Sequence, residues 1–180
     1  MALLNADDAK NGQKRFRSLG IIPPMPYDSS KLLDATNLAI LRELQQDARL
    51  SYSELSRRVG LSVPAVTERV RRLEDAGIIE GYGVRLNFEA LGYGITALIE
   101  LSAPPSRYPQ VLAFCEQTLE IRESYFVTGD SSYVVRVVAR SVQHLQEIIQ
   151  RLGTFGNTRT SVVLSSPIIK TSFDLEGLKR

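Results

Sequence analysis

The stretch from Ser51 to Gly77, SYSELSRRVGLSVPAVTERVRRLEDAG, most narrows what this chain can become, because residues that start or stop helices punctuate it at both ends and in the middle. Ser51 with Glu54 three residues on has the form of a capping box, in which each side chain satisfies the other residue's backbone N–H. Gly60 is placed to stop that helix. Ser62 can N-cap a second one, Pro64 falls in its first turn, where a missing N–H costs little, and Gly77 can end it. Two helices joined by a tight turn are expected.

At 100° per residue, Val63, Val66, Val70 and Leu73 line one side of the second helix with Ala76 at its margin, which predicts that this side is buried. Pro64, Thr67, Glu68, Arg71, Arg72 and Asp75 fall opposite. Arg69 lies at the boundary, where a long side chain still reaches solvent. Between residues 57 and 72 stand five arginines (57, 58, 69, 71 and 72) against Glu68, in a chain whose total net charge is only +2. On charge alone, a solvated Arg/Glu face is the commoner reading. Caps, turn and buried valines together favour a helix-turn-helix that reads double-stranded DNA. In that reading Arg69, Arg71 and Arg72 contact phosphates, and Ser62, Val63, Ala65 and Thr67 approach base edges. Tyr52, Ser53, Pro64 and Glu68 complete the expected interface.

Length and composition fit two small domains, since 180 residues with 43% hydrophobic content can supply two modest cores. A single cysteine, Cys115, excludes an internal disulfide, and a single histidine, His144, leaves no His/Cys cluster for a metal. Cys115 reads as a small apolar helix residue and His144 as solvent-facing. With no apolar run near the ~20 residues needed to cross a bilayer and no signal-peptide core, a soluble cytoplasmic protein is expected. Residues 1–30 mix charges with the breaker cluster IIPPMPYDSS and read as a flexible extension, which outweighs a phosphate-touching role for KRFR.

From Leu32 a helical stripe of Leu33, Leu38, Leu41 and Leu44 appears, with Asp34 as its N-cap. After Gly77, IIEGYGVRLN has the β-branched residues and glycines of a short hairpin or wing. Residues 31–86 are thus expected to form a winged helix-turn-helix, followed by a linker at 87–94. The second half alternates: strand 95–103, helix 106–119, strands 122–129 and 131–140, helix 141–152 capped by Ser141, and strand 160–166. The fold class is therefore α+β, with a ferredoxin-like βαββαβ domain over 95–174 and a tail at 175–180. Leu98, Val135 and Val137 are expected to exceed what two helices can cover, which makes the sheet an oligomerisation surface.

LDATNLAILRELQQDARLSYSELSRRVGLS, VTERVRRLEDAGIIEGY, the loop TGDSSY and the late strand TRTSVVL together resemble the Lrp/AsnC (leucine-responsive, "feast/famine") family of transcription factors over about Leu32 to Asp174. The resemblance implies a winged helix-turn-helix, an amino-acid-binding βαββαβ domain, and dimers that assemble into octamers. SVPAV at the start of the second helix departs from the family, so the operator sequence does not carry over.

By itself Gly-Asp in TGDSSY is an ordinary turn between strands. With the resemblance, Thr128, Gly129, Asp130, Ser131, Ser132 and Tyr133 become an effector site, in which Asp130 meets an ammonium and backbone N–H groups from Gly129 to Ser132 hold a carboxylate. The family places the opposite wall on Ser161, Val162, Val163 and Leu164. GYG at 81–83 and 92–94 extends to no phosphate-binding loop, no catalytic constellation emerges, and no cofactor is expected. Two alternatives stay open. One is an enzyme similar to the siroheme decarboxylases, disfavoured because that chemistry relies on histidine and only His144 is present. The other is a ligand-binding module that does not act on DNA.

Overall fold

The computed structural model describes residues 32–175, so the readings of 1–30 and of the last five residues lie outside it. The described chain forms two compact units, one of residues 85–167 and one joining 32–84 with 168–175.

The helical unit contains α1 (Ala35–Gln46), α2 (Tyr52–Val59) and α3 (Val63–Asp75). Each begins as the sequence predicts. The side chains of Asp34, Ser51 and Ser62 accept from the N–H groups of Asn37, Glu54 and Ala65 at 2.7, 3.2 and 3.4 Å, caps typically worth ~1 kcal/mol each. Only half of the expected capping box forms, because the Glu54 carboxylate accepts from Arg57 and Arg58. Gly60 adopts the left-handed conformation that ends α2. Leu38, Ile40 and Leu41 of α1 pack with Leu55 of α2 and with Val66, Val70 and Leu73 of α3. Val63 departs from expectation. At 41% exposure it stands outside this core, as the first residue of α3, one turn ahead of the first buried valine, Val66.

No strand follows α3, so the expected wing hairpin is absent from residues 78–87. The N–H groups of Ile78 and Ile79 both turn back to the carbonyl of Leu73, and both side chains pack on the helical core. A ladder cannot start from residues held in this way. A second difference is that 168–174, expected with the sheet, and Leu175, expected in a tail, belong to the helical unit. Leu175 is buried in its core, and the Gln45 side-chain amide clasps Phe173, accepting from its N–H at 2.6 Å and donating to its carbonyl at 3.3 Å.

The second unit follows the expected order: β1 (Ile95–Ser102), a 3-10 turn (Pro105–Arg107), α4 (Tyr108–Gln117), β2 (Ile121–Phe126), β3 (Tyr133–Ala139), α5 (Val142–Gly153) and β4 (Asn157–Val162). The sheet is antiparallel throughout, in the order β2-β3-β1-β4. Alternation sets its inner face: Ala97, Ile99 and Leu101 of β1 and Tyr133, Val135, Val137 and Ala139 of β3 pack with Val111 and Cys115 of α4 and with Leu145, Ile148 and Leu152 of α5. Val135 and Val137 are therefore fully covered by the helices, and of the three residues expected to exceed that cover only Leu98, on the opposite parity, is exposed. Residues 87–94, expected as a linker, form a turn stacked on this unit, with Arg122 over the Phe88 ring and Arg140 over Tyr93. β4 starts three residues before the expected 160 and ends at Val162, leaving Val163 and Leu164 beyond the strand.

Candidate nucleic-acid interface and effector turn

Val66, Val70 and Leu73 fix the rotation of α3, so Pro64, Thr67, Glu68, Arg71 and Arg72 stand away from the core. Ser62 is exposed beside them, and Ala65 is half-buried at the edge of that face. Tyr52 at the start of α2 is 41% exposed and Ser53 is exposed next to it. Nearly all the expected interface residues are thus accessible, and Val63 joins them by being unburied.

The arginines on that surface are already partnered. Glu68 accepts from Arg71 Nε at 3.2 Å and Nη2 at 3.1 Å, and from Arg72 Nε at 2.9 Å. Arg72 first, with Arg71, holds the Glu68 carboxyl below its ordinary value. On α2, Glu54 accepts from Arg57 and Arg58, and those bonds draw its pKa from 4.5 to about 2. Arg58 also reaches Glu43 of α1 at 2.9 Å. Arg57 was counted in the charge cluster but not placed in the expected interface; it is exposed beside Glu54 and offers a further cation. Arg69 differs from its neighbours. Its Nη1 donates to Asp34 Oδ2 at 2.7 Å and to Asn37 Oδ1 at 2.9 Å, so it ties α3 to the start of α1 instead of facing outward. Thr67 donates to the Val63 carbonyl, which occupies its hydroxyl proton.

The TGDSSY turn joins β2 to β3, with Gly129 at φ 108°, a conformation that favours glycine. The turn is pinned to β1 from two sides: Ser132 N–H donates to the Leu101 carbonyl, and Ser102 Oγ donates to the Asp130 carbonyl. Ser132 Oγ bridges Ala103. Two of the expected contacts are therefore already committed, since the Ser132 N–H is spent and Tyr133 is buried edge-on against Tyr108 and Phe126 in the core. The N–H groups of Gly129, Asp130 and Ser131 take no partner among the described residues, and Asp130 is exposed. Ser161 and Val162 lie on β4, paired to Leu98 and Ala97 of β1, and both are exposed. Val163 is half-buried with its N–H on Thr96, and Leu164 is 95% exposed.

Sequence reading missed the charges beside this turn. Glu100 of β1 and Arg159 of β4 face one another across the ladder, with Arg159 Nη2 at 2.7 and 2.8 Å from the two carboxylate oxygens, and Ser131 Oγ at 3.1 Å joins them. The Arg159 bond, then that of Ser131, lowers the Glu100 pKa. Opposite charges on the outward parity of two strands were the available signal, usable only once their register was known.

His144 is more enclosed than expected. Nδ1 accepts from the Arg140 N–H at 3.3 Å, and Nε2 lies 3.4 Å from Glu120. Cys115 is buried as expected, and burial pushes its thiol pKa up. Among the described residues no helix is long and apolar enough to cross a membrane.

Two family models match the chain, one described as winged helix-turn-helix DNA-binding over residues 33–80 and one as Lrp/AsnC ligand binding domain over 96–173. The chain is 38% identical over 140 residues to the HTH-type transcriptional regulator LrpA of Mycobacterium tuberculosis, an alignment covering 76% of this chain and 93% of that one. Its structure is similar to that of LrpC from B. subtilis, with TM-score 0.72, 31% identity, and coverage of 76% of this chain and 98% of the other. It is also similar to a feast or famine regulatory protein from M. tuberculosis complexed with L-methionine, with TM-score 0.71, 37% identity, and coverage of 78% and 98%.

Proposed function

Because this chain belongs to the Lrp/AsnC family of DNA-binding transcriptional regulators, we propose that α3 enters the major groove and that an amino acid bound at the 128–132 turn controls how tightly it does so. One observation carries the second half of this reading: a turn pinned to β1 presents unspent N–H groups at Gly129, Asp130 and Ser131 beside the exposed Asp130 carboxylate. Those are the groups that a zwitterion requires, donors for its carboxylate and an anion for its ammonium. In this reading Thr128 flanks the turn, Tyr133 contributes only by packing beneath, and Ser161, Val162, Val163 and Leu164, which lie at the other end of β1 within the chain, supply the opposite wall from a second copy.

A second subunit completes the site. A ligand lodged between two copies necessarily has different affinity for assembled and separated states, and that difference is the coupling available to regulation, typically ~1 to 3 kcal/mol. The dimer is the minimum species and the octamer the higher assembly. No catalytic role is assigned, and His144, committed to Arg140 and Glu120, offers no open ligand to a porphyrin iron.

Calorimetric titration of the twenty amino acids, beginning with L-methionine because a relative binds it, tests the effector half. Asp130→Ala is expected to weaken the responsive amino acid at least tenfold while leaving effector-free DNA binding unchanged. Equal ligand affinity in both forms removes Asp130 from the site. An effector that alters neither assembly nor DNA affinity overturns the mechanism.

A further inference from the structure

Glu68 occupies the middle of the face that α3 turns outward, opposite Val66, Val70 and Leu73, and its carboxylate is shared between the guanidinium groups of Arg71 and Arg72. Such a placement needs a reason. A carboxylate brought against a polyanion is repelled, and here it also occupies the two cations that phosphates would attract. In the first half of the helix no other side chain is a free acceptor of comparable strength: the Ser62 hydroxyl caps Ala65, Thr67 bonds back to Val63, and Val63, Pro64 and Ala65 are apolar. In the major groove, the base-edge donor that a carboxylate takes is the N4 amino group of cytosine.

We infer that Glu68 is a specificity-determining residue that accepts a hydrogen bond from cytosine N4 on a favoured site and, in doing so, releases Arg71 and Arg72 to the phosphates. Without a cytosine at that place the carboxylate keeps both arginines, and binding stays weak. Affinity for the backbone thereby becomes conditional on a base. The inference rests on the reading that α3 enters the groove.

Two measurements on the full chain test it: selection from a random-sequence duplex pool, and binding to one fixed random-sequence duplex across a salt series. Glu68→Gln keeps the shape and removes the charge. It is expected to bind the fixed duplex about three- to tenfold more tightly, with a log–log salt slope steeper by about 1 to 2, since each freed arginine adds ~0.9. It is also expected to lose a cytosine preference that the wild type selects from the pool. Glu68→Asp retains the charge but falls short of the base, so weak binding to the fixed duplex is expected to persist while the selected cytosine disappears. If wild type and Glu68→Gln select the same sequences, the inference is overturned, whatever happens to the slope. An unchanged slope with lost selection overturns the release of the arginines. If the wild type selects no sequence at all, groove reading fails, and this inference with it.

Discussion

At the scale of single residues, two of the three arginines expected to contact phosphates separate. Arg69 is held by Asp34 and Asn37, whereas Arg71 is 65% exposed and held only by Glu68 on its own helix. On a duplex that carries the selected site, Arg71→Ala is expected to flatten the log–log salt slope of DNA binding by about 0.9, the loss of one phosphate contact. Arg69→Ala is expected to leave that slope unchanged and to lower the stability of the helical unit by about 1 kcal/mol through lost hydrogen bonds. Fluorescence anisotropy over a salt series, with thermal melts of both variants, distinguishes them. Gly156 is critical for a different reason. A Cβ there would lie 2.1 Å from the Ser102 carbonyl oxygen, where β4 begins to pair with β1, and backbone cannot step aside as a flexible side chain can. Gly156→Ala is expected to cost about 2 kcal/mol or more by overpacking, read as a lower melting temperature. A melt within one degree of wild type contradicts that close approach.

At the scale of elements, acid probes the α2 carboxylate. The Glu54 pKa is depressed from 4.5 to about 2 by hydrogen bonds from Arg57 and then Arg58. A depressed carboxyl contributes stability that is complete above its unfolded value and lost as pH falls through its folded one. Melting of the helical unit is therefore expected to decline between pH 4.5 and 2, and Glu54→Gln to flatten part of that decline. Identical profiles would dismiss the pair as inert. The helices were legible in the sequence because Asp34, Ser51, Ser62 and Ser141 act within their own turns, and each caps the helix assigned to it. The element order of the second unit was legible from its apolar runs and helix caps, and within β3 every second residue from Tyr133 to Ala139 is buried. What was not legible depends on which backbone partner claims a residue and in what register. Ile78 and Ile79 have strand-like side chains, yet their N–H groups are claimed by Leu73. β4 starts at Asn157 because Ser102 is there to pair with it. Tyr133 looked like a site residue from its place in TGDSSY, and strand parity alone turns it into the core.

For the whole molecule, the sheet has helices on one face and leaves the other free of them. Leu98 and Tyr125 are exposed on the free face at 38% and 52%, with the Glu100–Arg159 and Glu123–Arg136 pairs among them. Apolar residues set between paired charges suit a contact with a second copy better than a permanently wet face. Light scattering at micromolar concentration is expected to give a dimer or larger, and a stable monomer would contradict it. The helical unit, for its part, is not continuous in sequence: Leu175 completes a core otherwise built from Leu33 to Ile79. Leu175→Ala is expected to cost about 2 kcal/mol and to speed amide exchange in α1–α3 while sparing β1–β4. On the ribosome this has a further consequence. The half built from α1–α3 is synthesised first but lacks the last residue of its core until the whole sheet unit has been made and the chain has returned to Gln45, so a nascent regulator holds its helical half at less than full stability while its sheet is being synthesised.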